Sequence, residues 1–334
     1  MSFTSDTSAP AHPACLEAMT AANQGAAPSY GSDGEMKALR DQLAETFATE
    51  AFEAWPVASG TAANALALSV LCPPTGAVLC HREAHIANDE RGAPEFFTGG
   101  GKLQLLDGPS GKLMPDTLDA IDPGFVHATP GHVLSLTNLT ECGTAYAVEE
   151  LARQMEQARD HGLWTHLDGA RLANALVATG QTPAAMTWQA GVDVLTLGLT
   201  KTGALGCEII LLFGRARRLF PDLRARTKRA GHMPPKMRYL AAQGRALLAN
   251  DLWLELARTA NTRARALSGA LCRYPGVTLC HPVDGNEVFA RLPAPLVQRL
   301  KEAGIGFIPW GDGSYRFVCS WTTTQEDVDT VAAL

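Results

Sequence analysis

A lysine that ends an apolar strand, rather than lying on a charged surface, is positioned for nucleophilic amine chemistry. Lys201 stands in such a place, within Leu197-Gly198-Leu199-Thr200-Lys201-Thr202-Gly203-Ala204. Small and hydroxyl residues flank it, which suits an imine better than solvent. Asp168 ends the run Trp164-Thr165-His166-Leu167. A carboxylate there can hold a protonated ring nitrogen and make that ring an electron sink. Arg171 follows one short turn later, placed to meet a carboxylate or to anchor Asp168. Ser59-Gly60-Thr61 precedes a helical pattern from Ala62. Glycine admits close backbone approach, the hydroxyls add donors, and the helix start offers free N–H groups, so the turn suits a phosphate. Each feature alone also reads plainly, as a helix cap, a turn aspartate or a surface lysine. Together, in this order and with Asp168 and Lys201 33 positions apart, they are far more specific.

These residues need a frame. Short apolar runs alternate with helical patterns, which predicts an α/β fold with a mostly parallel sheet. Strands are expected at Val78–Cys80, Val133–Leu136, Leu163–Leu167 and Val192–Leu197, with Glu208–Phe213 as an antiparallel neighbour. Helices are expected over Ala62–Val70 and Val148–His161; the second carries Glu149 and Glu150 early and Arg159 late, matching the helix dipole. Pro234–Cys272 is almost wholly helical, with a break near Asn250-Asp251. Short strands at Val277–Leu279, Val288–Arg291 and Tyr315–Cys319 follow, with helices near Ala294–Ala303 and Gln325–Leu334. This predicts a large domain over residues 1–245 and a small α+β domain over 246–334. The three chemical features then fall on the carboxyl edge of the sheet, where such folds bind ligands.

Composition narrows the function. The chain has 334 residues, 46% hydrophobic and 19% charged, with a net charge of −6. That balance is globular and lacks the basic excess of a nucleic-acid binder. One basic run, Arg224, Arg226, Lys228 and Arg229, reads as a solvated loop or an anion site. Eight scattered cysteines form no CxxC pair, so free thiols in a reducing cytoplasm are expected. No stretch has the character of a signal peptide or the ~20 apolar residues of a membrane span. His81 and His85 are four apart, but Arg82 stands where a zinc-protease motif requires Glu, so no catalytic metal is expected.

Phe3-Thr4-Ser5-Asp6, Ser29-Tyr30-Gly31-Ser32-Asp33, Gly60-Thr61, the His85 region, Leu167-Asp168-Gly169-Ala170-Arg171 and Thr200-Lys201 follow one another through nearly the whole chain. In that order they resemble the pyridoxal-phosphate enzymes of fold type I and, more closely, the threonine aldolase family. Glu83–Glu90 with Gly92–Phe97 resembles the low-specificity and phenylserine branch.

The resemblance implies a fold type I, transferase-like architecture with the N-terminal segment at the active site. It implies pyridoxal phosphate held as a Schiff base on Lys201, with Asp168 at the ring nitrogen, His85 stacked on the ring, and Gly60, Thr61 and Thr200 near the phosphate. Arg171 and Arg316 would hold the substrate carboxylate and Ser5 would add a hydroxyl. His127 would take the β-hydroxyl proton. Lys228 would serve the phosphate and Tyr30 would reach a neighbouring site, in a homodimer or homotetramer with shared sites. The substrate would be L-threonine, L-allo-threonine or a phenylserine-like amino acid, cleaved to glycine and an aldehyde. Other cofactor chemistry on the same fold, β-elimination or transamination, and an inactive binding subunit are the rival readings. Thr202 after the lysine and the stretch Ser135–Glu141 depart from the family's commoner patterns, which leaves the β-carbon pocket open. Against that pattern the chain also stops a helix turn or two early, at Leu334.

Overall fold

The architecture comes from a computed structural model that describes residues 1–114, 117, 118 and 126–334. The first half runs α1 (Pro13–Ala22), α2 (Gly34–Thr46), β1 (Phe52–Val57), α3 (Gly60–Leu71), β2 (Ala77–His81), α4 (His85–Asn88), α5 (Ala93–Thr98), β3 (Lys102–Leu106) and β4 (Gly131–Thr137). It continues with α6 (Val148–Asp160), β5 (Trp164–Gly169), α7 (Leu172–Thr179), β6 (Val194–Gly198), β7 (Glu208–Phe213), α8 (Phe220–Arg229), α9 (Arg238–Leu248) and α10 (Leu252–Leu271). The chain closes with β8 (Thr278–Leu279), β9 (Glu287–Arg291), α11 (Ala294–Glu302), β10 (Ile308–Pro309), β11 (Tyr315–Val318) and α12 (Gln325–Ala332).

Among the described residues, seven strands form a sheet in the order β1-β7-β6-β5-β4-β2-β3. The pairs β3/β2, β2/β4, β4/β5 and β5/β6 are parallel, while β7 runs antiparallel to β6 and β1. Strands β2, β6 and β7 are buried throughout, as sheets covered on both faces require. Their apolar side chains divide between two clusters, one around Leu79, Leu167 and Leu197, the other around Val78, Leu66 and Ile210. Each fully buried leucine in such a core contributes on the order of 2 kcal/mol.

The sequence expectation is met closely along the inner strands and along the α9–α10 pair, where Asn250 and Asp251 take left-handed φ of 52° and 56° at the break. It misses β1, which carries Pro56, and β3, an edge strand with little apolar character. The basic run forms the last turns of α8 rather than a loop.

A second, four-stranded sheet has the order β10-β11-β9-β8 and packs around Phe317, Val288, Leu300 and Val331. The chain's first residues join it. Phe3 is buried in that cluster, its N–H donates to Gly306 O at 2.8 Å, and its carbonyl accepts from Val318 N–H at 2.7 Å. This pairing ties the following residues, Ser5 to Thr7, to the seam between the two sheets.

Candidate active site

Topology brings five distant stretches to one sheet edge. The parallel strands end there at Thr137, Gly169 and Gly198; β7 begins there at Glu208, paired with Gly198; and β1 ends there at Val57, opposite Glu208. A cavity of about 260 Å³ opens at this edge, and Thr61, His85, Glu141, Asp168, Arg171 and Lys201 line it. Among the expected residues, Gly60 and Thr200 line it too.

The end of the cavity at α3 is built locally. Ser59 caps α3, its Oγ accepting from Ala62 N–H at 3.3 Å. Gly60 and Thr61 are then the first two helical residues, whose N–H groups have no acceptor within the helix. A 12-residue helix thus points its positive end into the cavity.

The Asp168–Arg171 turn and the loop bearing Lys201 touch because of two glycines. A Cβ on Gly198 would lie 2.5 Å from Ala170 Cα, and one on Gly169 would lie 2.7 Å from Thr196 O. Only glycine permits that approach, which sets the Asp168–Arg171 turn against the loop bearing Lys201. Glu208 ties down the same loop: its Oε2 accepts from Leu199 N–H at 2.9 Å. Burial pushes the Glu208 carboxyl up to about 7, against hydrogen bonds from Thr200 and Leu199 and the nearby charge of Lys201.

Asp168 is nearly inaccessible and well held. Its Oδ1 accepts from Ala170 N–H at 2.9 Å and its Oδ2 from Asn64 Nδ2 at 2.7 Å. Asn64 also donates to Glu90 Oε1 at 2.9 Å, and Glu90 Oε1 lies 2.9 Å from His85 Nδ1. The hydrogen bond to Glu90 raises His85 above the ordinary imidazole range, while burial raises Glu90. Glu90 thereby fixes the His85 ring through Nδ1.

On the opposite side, Arg171 lines the cavity and is backed by Asp6, Glu287 and Arg316. Arg171 donates from Nε and Nη2 to Asp6, and its Nη1 lies 3.3 Å from Glu287 Oε2. Burial would raise the Asp6 carboxyl; Arg171, aided by Lys201 and Asn286, holds it below its usual range. Arg316 sits beyond Glu287, with Nη1 4.0 Å from Oε1 and its guanidinium 4.8 Å from the Trp310 ring centroid. Arg316 is not part of the cavity lining. The two expected carboxylate-binding arginines therefore meet at one buried glutamate, and only Arg171 reaches the cavity.

Other expected residues are placed elsewhere. Ser5 caps a short turn, its Oγ accepting from Thr7 N–H at 3.2 Å, and Thr7 rather than Ser5 lines the cavity. His127 is exposed and lies four positions before β4 begins. Parallel strands meet this cavity at their carboxyl ends, so His127 is at the far edge of the sheet and does not reach its own protomer's site. Tyr30 and Lys228 are exposed outside the cavity, the Lys228 amine 4.3 Å from the Tyr30 ring centroid.

The sequence reading missed Asp6, Thr7, Asn64, Glu90, Glu141 and Glu287 as site residues. Asp6 and Asn64 lay inside motifs already singled out, and Glu90 follows His85 by five. Glu287 had no signal short of the tertiary fold.

The beta-eliminating lyase family model matches residues 2–294. The low specificity L-threonine aldolase of Pseudomonas aeruginosa is 40% identical over 99% of this chain and 95% of its own length. Among solved structures, a threonine aldolase of Leishmania major superposes with a TM-score of 0.92 at 27% identity, over 99% of this chain and 97% of that one. An aspartate aminotransferase of Thermus thermophilus superposes at 0.73 with 18% identity, over 97% and 87%, a likeness of fold.

Proposed function

The chain belongs to the beta-eliminating lyase family, among the low-specificity threonine aldolases, and from that premise we propose how its cavity cleaves β-hydroxy-α-amino acids to glycine and an aldehyde. One observation carries this reading: Lys201, Asp168 and the start of α3 converge on a single cavity.

The residues present fit pyridoxal phosphate. Lys201 would hold its aldehyde carbon as a Schiff base. Asp168, fixed by Asn64 and Ala170, retains unused lone pairs for a ring N–H. Gly60, Thr61 and Thr200 offer donors to the phosphate, and His85 would cover the ring. When bound, the cofactor supplies an electron sink for a bond broken at the amino acid's Cα.

The chain's own residues do the rest. Arg171 has two of its donors committed to Asp6, so a substrate carboxylate would meet the Nη1 side now facing Glu287. Arg316 adds positive charge behind Glu287. Holding the carboxylate there would fix which bond at Cα is presented for cleavage. Thr7 and Leu139 narrow the cavity around the substrate.

The cavity lining holds two cations, Lys201 and Arg171, both with other tasks. A phosphate carries about −1.5 to −2 charge and benefits from a further cation. The exposed Lys228–Tyr30 pair would supply it to a second copy's site, in a homodimer or homotetramer. All eight cysteines are free thiols, which fits a reducing cytoplasm. Among the described residues no helix is long and apolar enough to cross a membrane.

The test is incubation of the purified protein, supplied with pyridoxal phosphate, with L-threonine, L-allo-threonine and phenylserine. Glycine and the matching aldehyde in equal amounts are expected. An oxo acid with ammonia would instead mean β-elimination, and a cofactor-loaded protein with no turnover would mean a binding subunit.

A further inference from the structure

Cleavage of a β-hydroxy amino acid needs a group to accept the hydroxyl proton, and His127 stands at the far edge of the sheet. The carboxyls at the cavity differ in what engages them. Both oxygens of Asp168 accept hydrogen bonds, Glu208 holds the Lys201 loop, and Glu90, tied to His85 and Asn64 through Oε1 and with its own Oε2 unpartnered, does not line the cavity. Glu141 is different. Its Oε1 accepts from His85 N–H at 2.8 Å and from the Thr137 hydroxyl at 2.9 Å. Its Oε2 is buried with no hydrogen-bond partner, and the residue lines the cavity. Two donors fix one oxygen while the other is left unengaged.

We propose that Glu141 is a catalytic residue that exchanges a proton with the substrate's β-hydroxyl. This rests on the aldolase reading above. In cleavage, the hydroxyl proton passes to Glu141 Oε2. The O–H electron pair becomes the second C–O bond of the aldehyde. The Cα–Cβ pair stays with Cα, and a proton added there completes glycine. In synthesis the same carboxyl returns the proton to the new hydroxyl.

The electrostatics agree. Burial, with Asp168 adding repulsion, pushes the Glu141 carboxyl up to about 7, against the hydrogen bonds from His85 and Thr137. Arg171, Tyr146, Cys80 and Cys142 also feel its charge. An acid–base group works best when it titrates near the working pH.

The test uses Glu141→Gln, which keeps an oxygen for the two fixed donors and removes the titratable group. Two reactions are read on the same loaded enzyme: cleavage of L-threonine, and exchange of glycine's α-proton with deuterated solvent by NMR. Only the first involves a hydroxyl. Cleavage should fall by about 100-fold or more, with α-proton exchange and the bound cofactor's visible band within about threefold of the unaltered protein. Formate should restore part of the cleavage in Glu141→Ala, as a substitute base. Equal loss of both reactions, or unchanged cleavage, would overturn the proposal. If the unaltered protein exchanges glycine's proton but cleaves no hydroxy amino acid, the aldolase reading itself fails, which is a separate result.

Discussion

Arg171 grips Asp6 with two hydrogen bonds, Nε to Oδ2 at 2.7 Å and Nη2 to Oδ1 at 3.1 Å. The pair joins the N-terminal segment to the turn after β5, and both side chains are almost wholly buried. Asp6→Asn should cost about 3–5 kcal/mol, because it leaves a buried guanidinium short of its counter-charge. The Asp6 carboxyl is depressed in the folded protein, so its contribution is present above its unfolded value and is lost as pH falls through the folded one. Urea denaturation between about pH 7 and about pH 3 should show a shallower acid decline in the variant. An equally steep decline would remove Asp6 as its source. The KM for L-threonine should also rise, since Arg171 loses the partner that orients it.

Lys201→Ala should abolish the visible absorption band of the protein mixed with pyridoxal phosphate, and should abolish cleavage. Retention of the band after extensive dialysis would place the cofactor on another amine.

The His85–Glu90 pair predicts a titration. The hydrogen bond to Glu90 raises His85, so the stability this pair contributes is fully present below the unfolded imidazole value of about 6.5 and is lost as pH rises through the folded one. Glu90→Gln should move the His85 imidazole resonance to titrate at lower pH. An unmoved titration would mean that Glu90 does not govern this imidazole.

Thr137 donates to Glu141 and favours its ionised form. Thr137→Val should therefore raise the Glu141 pKa by roughly one unit. Cleavage needs the ionised carboxyl, so kcat/KM rises with pH through a midpoint near 7, and the variant's midpoint should lie higher. A lower or unchanged midpoint would separate Thr137 from that titration.

The proposed sharing of sites between copies predicts complementation. Lys201→Ala and Lys228→Ala chains should each be weak alone. Mixed dimers would contain one site with both lysines intact, so co-expression should recover about a quarter of full activity. No recovery would confine Lys228 to its own protomer or to a structural role.

Much of the fold was legible locally. Val78–Cys80, Val133–Leu136 and Val192–Leu197 are apolar runs because both faces of the sheet are covered, and the α9–α10 break showed in Asn250-Asp251. Strand β3 was not legible, since an edge strand needs no continuous apolar run. The placement of the Gly60-Thr61 turn, Asp168 and Lys201 at one cavity was legible because each sits at its own strand end or helix cap.

The sequence by itself determined the local pieces: an amine after one strand, a carboxylate after another, and a Ser-Gly-Thr turn at a helix start. These depend on spacing along a few residues. The tertiary structure decided which side chains share the cavity. It set Asn64 between Asp168 and Glu90, placed Glu287 between Arg171 and Arg316, left Glu141 Oε2 unengaged, and put His127 ahead of β4, at the far edge of its own sheet. Those relationships join residues far apart in the chain, Asn64 and Asp168 being 104 positions apart. They follow from strand order and direction, which bring together sheet edges that no local pattern records.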